Sequence, residues 1–432
     1  MASGGGRAPD DAAIDRSAPA PASAHPDRST PADRALALVA ACARPLADPG
    51  RVAAITRAAA SPLDADAVAT LAHRHRVEGF VEQGLAAAGI VLAGAAAARL
   101  TAGAGAARLQ ALRNAGEELR VGRALAAAGI DTVFVKGATL GMRAHGMLTL
   151  KSSWDIDVLI ARAHLDDAGL VLRDLGYRLS IFGGIDDPVQ VRRFLAGNKE
   201  TEWHHAGRGT TVELHTALTD NPVALPSVGL GSPRQTVALM PGQALSTLAT
   251  VPLFAYLAYH GTAHLWSRLK WLADVAAVLR DEDVVALHAH AVALGAGRTP
   301  GVAIVLAHEI LGLDVPPALL ATIRADRVTQ RLIAYSHAAI VAAQDAEGRL
   351  MRPFGEHLAY ARAQGWLMPG AAHRWYAARR FVTRPYIAAH LRVPHWALPF
   401  AILGALPGRL LLRPIRLRQE RRQAGGNTAS RP

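Results

Sequence analysis

The stretch Trp-Asp-Ile-Asp-Val-Leu-Ile at residues 154–160 decides the fold, because charged and apolar residues alternate in it as along a half-buried strand. Successive side chains of a strand point to opposite faces, so Asp155 and Asp157 share one face and the apolar residues between them face a core. Two carboxylates this close repel each other, and a bound divalent cation commonly neutralises that repulsion. The stretch predicts a metal site, although an Asp-x-Asp pair also arises by chance on strands.

A second motif, Lys136-Gly137, follows the apolar run at residues 132–135 and precedes a predicted helix over residues 138–144. The exposed amides of a helix start attract anions, and a glycine lets a phosphate approach the backbone closely. Lys136 and Lys151 are two of only four lysines in a chain whose other basic residues are arginines. Both lysines and Gly137 are therefore predicted to bind phosphate, the lysines as point charges.

A third acid lies in another short alternating stretch, Thr-Thr-Val-Glu-Leu-His at residues 210–215. Glu213 stands between two apolar residues, so it is predicted to point away from the core. Asp155, Asp157 and Glu213 could then hold cations roughly 3.5 to 4 Å apart, as two-metal phosphoryl-transfer sites do. These three acids are the predicted catalytic and metal-binding residues.

Together these motifs resemble the uncharacterised bacterial nucleotidyltransferase family of the DNA polymerase β-like superfamily. The resemblance extends to a downstream helical signature, a His-rich helix that leads into an Arg-Leu-x-Trp-Leu-x-Asp segment, and it covers about residues 35–320. The matching segments, in chain order, are Lys136-Gly137, Lys151, residues 155–159, residues 212–215 and residues 259–274.

The resemblance implies transfer of a nucleoside monophosphate from a nucleoside triphosphate to an acceptor, with Mg²⁺ or Mn²⁺ as cofactor and pyrophosphate as leaving group. Asp155 and Asp157 match the family's metal-binding acids, and Glu213 matches its third acid. Two positions depart from the pattern, because Lys151 stands where the family usually has Arg and His145 where it often has Tyr. A lysine cannot recognise a phosphate in the bidentate manner of an arginine.

Three histidines are candidates for an accessory role or for contact with the acceptor. His260 and His264 are spaced like zinc ligands on a helix, but residue 261 is Gly where a His-Glu-x-x-His protease has its general base. His215 follows Glu213 closely in sequence. Packing within the core or exposure to solvent is the alternative interpretation for each of them. No Gly-Lys pair occurs in the chain, which excludes a P-loop kinase.

Composition indicates the cellular compartment and the size of the hydrophobic core. The chain has 432 residues, 51% of them hydrophobic, and its single cysteine, Cys42, excludes a disulfide framework. The first residues lack the apolar run of a signal peptide. These features favour a cytoplasmic protein, with the inner membrane face as a further place of attachment.

Nearly all of the net charge of +12 belongs to the C-terminal end, since residues 373–432 hold twelve arginines and one acid. Its most apolar part, Trp396–Gly408, is too short to cross a bilayer. Arginines interleaved with aromatic residues suit an anionic membrane surface, and they suit nucleic acid less because the remaining core is close to neutral. A helical cap with a solvated basic end is the alternative.

The predicted fold class is α+β, a small mixed sheet with helical lobes before and after it in sequence. Predicted strands cover 131–136, 155–161, 177–182 and 210–215, and predicted helices cover 120–129, 138–144, 164–175 and, after residue 244, segments near 283–295, 301–312 and 328–345. A loop with a short helix is predicted over 183–199. The predicted units are a disordered tail (1–34), a helical unit (35–119), the α/β core (120–221), a helical domain (222–345) and a basic, aromatic-rich region (346–432).

Two alternatives to a metal-dependent nucleotidyltransferase stay open at the level of sequence. The chain could be a catalytically weak member that binds a membrane or a partner, which the position of Lys151 and the basic end favour. It could also act on RNA, although a polynucleotide acceptor usually requires a basic groove.

Overall fold

The computed structural model describes residues 30–151, 153–180, 191, 198–342 and 354–382. The predictions for the tail up to residue 29, for most of the loop at 183–199 and for the Trp396–Gly408 segment lie outside these residues. The described part is an α+β protein with a small mixed sheet, as predicted; the sheet has five strands, and a separate two-stranded hairpin was not predicted. None of its helices is long and apolar enough to cross a membrane.

Five helices precede the sheet, and the last of them is unusually long. A capping box closes the start of the first helix, where Thr30 and Asp33 bind each other's backbone amides. The fifth helix runs through the boundary predicted between residues 119 and 120 because its Ala-rich sequence offers no break there. The helices are α1 (Pro31–Cys42), α2 (Arg51–Ala58), α3 (Ala65–His75), α4 (Glu78–Ala87) and α5 (Gly94–Ala127).

The five-stranded sheet has the order β1-β2-β5-β4-β3, and only β2 and β5 run parallel. The parallel register sets Asp157 directly beside Glu213. The fourth strand was missed in the sequence because its polar residues obscure the buried Thr201 and Trp203. The strands are β1 (Thr132–Phe134), β2 (Asp155–Ile160), β3 (Arg178–Ser180), β4 (Glu200–His205) and β5 (Thr210–His215), and the helices between them are α6 (Gly137–His145) and α7 (Leu165–Asp174).

The two faces of this sheet have opposite character. The back face carries the apolar residues of the alternating strands, which are buried against α5 and α7. Trp203 of β4 packs close to Gly169 of α7, where a larger residue would need the indole to move. The front face carries Asp155, Asp157 and Glu213, so the alternation read from the sequence gives the predicted separation of acids and core.

A two-stranded hairpin follows the sheet and ends at Leu248, so the helices predicted from residue 244 begin at Thr250 instead. Residues 236–240 alternate between exposed and buried side chains, and the next two residues, Pro241 and Gly242, form a turn. Gly242 has φ +70°, which favours glycine. The strands are β6 (Arg234–Met240) and β7 (Gln243–Leu248).

The remaining helices form the largest hydrophobic core together with α1 to α4. Those predicted near 283–295, 301–312 and 328–345 are present with shifted ends, and the first of them ends in a π-helical turn. The helices are α8 (Thr250–Ala263), α9 (Leu269–Leu279), α10 (Val284–Ala291), α11 (Thr299–Leu311), α12 (Pro317–Ala325), α13 (Arg327–Val341), α14 (Phe354–Trp366) and α15 (Ala371–Val382).

Candidate functional site

The front face of the sheet gathers Asp157, Glu213 and His215. The His215 Nε2 atom lies 3.1 Å from Asp157 Oδ1 and 3.3 Å from Glu213 Oε2. One ligand atom from each residue lies within 4.8 Å of the other two, the spacing expected around a single cation. The predicted acids Asp157 and Glu213 thus meet, and they meet with a histidine that the sequence assigned only an accessory role.

Asp157 is the centre of this group. It is 2% exposed, and Lys136 Nζ lies 2.8 Å from its Oδ1 atom. Burial alone would raise the pKa of Asp157, but the Lys136 ammonium and the contact with His215 outweigh it and hold the pKa well below its usual range. Its Oδ2 atom is buried and accepts no hydrogen bond from any group in the described part of the chain. A buried carboxylate oxygen without a donor is a ready ligand for a cation.

Asp155 lies at the start of β2, two residues before Asp157 and on the same face of the sheet. It is only partly buried, and the Ser153 hydroxyl donates a hydrogen bond of 3.1 Å to its Oδ1 atom. Burial raises the pKa of Asp155, and the charges of Asp157 and Glu213 raise it further. The three acids predicted from the sequence therefore affect one another electrostatically, which is the condition that a divalent cation relieves.

The start of helix α6 differs from the prediction. Its amides were expected to be open to an anion, but Glu118 of α5 is fully buried behind them and accepts a hydrogen bond of 2.8 Å from the Ala138 amide. Gly137 has φ +68°, and a side chain there would collide with the Glu118 carboxylate. A glycine is thus required for this internal cap, and the phosphate contact of Gly137 stays a prediction.

Lys151 pairs with a carboxylate outside the three predicted acids. Its Nζ atom lies 2.5 Å from Asp274 Oδ2, and His145 Nε2 lies 2.9 Å from Asp274 Oδ1. The two departures from the family pattern, Lys151 and His145, therefore meet on one buried carboxylate. Asp274 ends the Trp-Leu-x-Asp segment, so that segment supplies the partner that the sequence did not connect with Lys151.

Two further lysines, Lys199 and Lys270, lie near the acids and were not predicted from the sequence, although the rarity of lysine was a usable signal. Lys199 lies close enough to the acids for Glu213 and Asp157 to influence its pKa, which burial lowers. Burial and the charge of Arg76 lower the pKa of Lys270 to about 7, although Asp155 opposes the shift. All four lysines of the chain are thus located around the acids or the adjacent Asp274.

His260 and His264 belong to a cluster of rings beside Lys136. Their ring centroids are 4.6 Å apart, and the Trp271 ring lies 5.4 Å from His260 and 5.2 Å from His264. Burial lowers the pKa of His260 well below its usual range, and the Lys136 charge acts in the same direction, so His260 is neutral. Lys136 Nζ also lies 5.8 Å from the centre of the Tyr256 ring, which places the cluster at the wall of the site.

These features, a mixed sheet with paired acids on one face and lysines around them, agree with the comparison to known protein families. No curated protein matches the sequence. The model of the uncharacterised nucleotidyltransferase family matches residues 61–312, which include the whole front face of the sheet and more than half of the chain. The chain belongs to the uncharacterised nucleotidyltransferase family.

Proposed function

We propose that this protein transfers a nucleoside monophosphate from a nucleoside triphosphate to a hydroxyl or phosphate acceptor. One observation carries the proposal: Asp157 and Glu213 lie side by side on parallel strands, and one buried Asp157 oxygen accepts no hydrogen bond from the residues that the structure describes. Membership of the nucleotidyltransferase family supports the same chemistry. In the reaction the acceptor oxygen bonds to the α-phosphorus, the bond to the bridging oxygen breaks, and pyrophosphate leaves.

The residues of the front face fit a divalent cation, Mg²⁺ or Mn²⁺. The unpartnered Asp157 oxygen and the neighbouring Glu213 carboxylate are hard oxygen donors, and Asp155 lies on the same face. When bound, the cation neutralises phosphate charge and lowers the pKa of an attacking hydroxyl. Asp155, Asp157 and Glu213 would hold it.

The lysines supply the positive charge that a triphosphate needs. Asp157 and its neighbours hold the pKa of Lys136 well above its usual range although burial alone would lower it, so this residue is a fixed cation beside the acids. Lys270 lies where the charges of Arg76 and Lys151 oppose its own. A phosphate beside Asp155 would relieve that repulsion, and Lys270 is therefore proposed as the phosphate contact that was predicted for Lys151.

The front face disfavours a polynucleotide acceptor. β4 adds Glu200 and Glu202 to the same face, and Glu202 pairs in register with Glu213. A polyanion that lay across this face would meet carboxylates beyond those that a cation neutralises. A small or uncharged acceptor therefore suits the site better than RNA.

A second role, attachment to an anionic membrane, is favoured by one observation in α15. Trp375 is 67% exposed on a helix that carries several arginines. His373 of the same helix is buried and lies 2.8 Å from Asn221, so the helix must stay in any truncated form. Co-sedimentation with anionic liposomes should fall when the chain ends at residue 382, and fall further when Trp375→Ala is added. Equal binding by all three forms would remove the membrane role.

The function is tested by incubation with each α-labelled nucleoside triphosphate and Mg²⁺ or Mn²⁺. Mass analysis of the protein and of a host extract should then reveal the addition of one nucleoside monophosphate. The double variant Asp155→Asn, Asp157→Asn should give none, because it removes the charges that hold the cation. If the double variant is as active as the parent, the site assignment is wrong.

A further inference from the structure

We propose that His215 is itself a ligand of the cation, and that the site consequently selects a transition-metal ion such as Mn²⁺ over Mg²⁺. The proposal rests on the proposed function only in assuming that a divalent cation binds at Asp157 and Glu213. It adds a nitrogen donor to a set of oxygen donors, and this changes which cation the site prefers.

The first argument is the position of the His215 ring. The residue is 1% exposed, and its Nε2 atom faces both carboxylates at 3.1 and 3.3 Å. It lies two residues after Glu213 on β5, so strand alternation directs both side chains to the front face. A cation equidistant from the three ligand atoms would need only small side-chain adjustments, because those atoms already lie within 4.8 Å of one another.

The second argument is the other ring nitrogen. Nδ1 lies 3.3 Å from Glu200 Oε2, a residue that pairs in register with His215 across β4 and β5. With no cation bound, Nε2 donates a hydrogen bond to Asp157 Oδ1. A cation held by Asp157 and Glu213 would replace that proton, and the imidazole proton would then lie on Nδ1, which faces Glu200. A carboxylate on the far side of a metal-binding imidazole is the usual arrangement around a protein-bound metal.

The third argument is the chemistry of the donors. Mg²⁺ prefers six oxygen ligands, including several waters, and rarely takes an imidazole. Transition-metal ions accept imidazole and carboxylate together, and Mn²⁺ is the member of that series that also suits carboxylate-rich sites. Asp157, Glu213 and His215 therefore form a ligand set that suits Mn²⁺, whereas Mg²⁺ would have to accept a nitrogen ligand in place of an oxygen.

Pulsed electron paramagnetic resonance on the full-length protein with Mn²⁺ alone, without nucleotide, tests the proposal directly. A coordinated imidazole produces nitrogen modulations in the Mn²⁺ echo. The parent should show them, and His215→Asp, which offers an oxygen instead, should lose them. His204→Asn is the matched control, since His204 is an exposed histidine of β4 on the same face, 3.3 Å from Thr211; its spectrum should equal that of the parent.

A competition titration gives a second measurement. The ratio of Mn²⁺ to Mg²⁺ affinity should fall by about tenfold or more in His215→Asp and stay unchanged in His204→Asn. Absence of nitrogen modulations in the parent, their persistence in His215→Asp, or an equal change in both affinities would overturn the proposal. The parent spectrum decides the question even if the variant does not fold.

The two proposals fail in distinguishable ways. If nucleotide transfer occurs without nitrogen modulations, the proposed function stands and the histidine ligand is wrong. If the modulations are present but no nucleotide is transferred with any acceptor, the metal site stands and the function is wrong.

Discussion

Two buried aspartates each hold one lysine and one histidine, yet only one of them lies in a candidate active site. In both sets the lysine and the histidine contact the carboxylate directly, at 2.5 to 3.1 Å. The Asp157 set consists of Asp157, Lys136 and His215, and the Asp274 set consists of Asp274, Lys151 and His145.

The difference lies in what surrounds each carboxylate. Both Asp274 oxygens are taken, one by each partner, and its pKa falls below the usual range because Lys151 and His145 outweigh the effect of burial. In the Asp157 set both partners contact the same oxygen, and the other oxygen accepts no hydrogen bond within the described ranges of the chain. Asp155 and Glu213 add two further negative charges. We call the Asp274 set closed, because both of its carboxylate oxygens have partners, and the Asp157 set open. The same three residue types therefore stabilise the fold in the closed set and can bind a ligand in the open set.

The largest effect is expected from Asp157→Asn, the variant that breaks the open set. Nucleotide transfer should fall on the order of a thousandfold or more, because the change removes a charged ligand at the reacting phosphate. The free energy of unfolding should change little, since Asp155 and Glu213 still balance Lys136. Turnover with an α-labelled triphosphate, together with urea denaturation, measures both quantities.

The matched variant Asp274→Asn breaks the closed set and should show the opposite pattern. It leaves the Lys151 ammonium buried without its carboxylate, which costs about 3 to 5 kcal/mol of the free energy of unfolding. Activity per folded molecule should be retained, because Asp274 does not contact the acids. A loss of activity in a fully folded Asp274→Asn protein would contradict the distinction between the two sets.

A smaller, pH-dependent effect is expected at Glu118, the residue that caps helix α6 next to the open set. Burial raises the pKa of Glu118 to about 8, so its neutral form is favoured in the folded protein. Its contribution to stability is therefore complete below the unfolded pKa, near 4.5, and is lost as the pH rises towards 8.

Glu118→Gln keeps an oxygen that can accept the Ala138 hydrogen bond and removes the titration. The variant should therefore lose less stability than the parent between pH 5 and pH 8, as followed by thermal unfolding across that range. Glu118→Ala is the control for the cap and should be less stable at every pH in the series. Parallel pH curves for Glu118→Gln and the parent would show that Glu118 is not neutral in the fold.

The smallest effect separates the two lysines. Lys151→Arg should keep turnover within about twofold, because an arginine can still pair with Asp274 and does not reach the acids. Lys136→Arg should lower turnover by about tenfold or more, because a planar guanidinium cannot replace a compact ammonium beside Asp157. Steady-state rates at saturating triphosphate check both, and an equal loss in the two variants would place Lys151 in the site.

The sequence predicted those parts of the site that depend on local geometry. Strand alternation alone put Asp155 and Asp157 on one face and directed Glu213 away from the core, since both follow from a repeat of two residues. The contacts that the sequence did not indicate join distant residues. Lys151 meets Asp274 and Gly137 meets Glu118 through tertiary packing, which no local pattern encodes.

The fold shows the same division. Strand β5 was predicted with its observed ends because its alternation is regular. Helix α5 begins at Gly94 and not at residue 120, where a helix was predicted to start, because helix propensity continues through residue 119. Strand β4 was missed because its front face carries Glu200, Glu202 and His204. From sequence alone, polar residues at alternate positions suggest an exposed loop. They are recognised as a functional surface only when the neighbouring strands of the sheet are known.

The most direct test of the central claim compares α-labelled with γ-labelled nucleoside triphosphate, using the parent, Asp157→Asn and Asp274→Asn in a host extract with Mn²⁺ or Mg²⁺. The parent should transfer the α-label to an acceptor and release the γ-label as pyrophosphate. Asp157→Asn should do neither, and Asp274→Asn should act in proportion to its folded fraction. Transfer of the γ-label, or an Asp157→Asn protein as active as the parent, would contradict the assignment of a nucleotidyltransferase centred on Asp157.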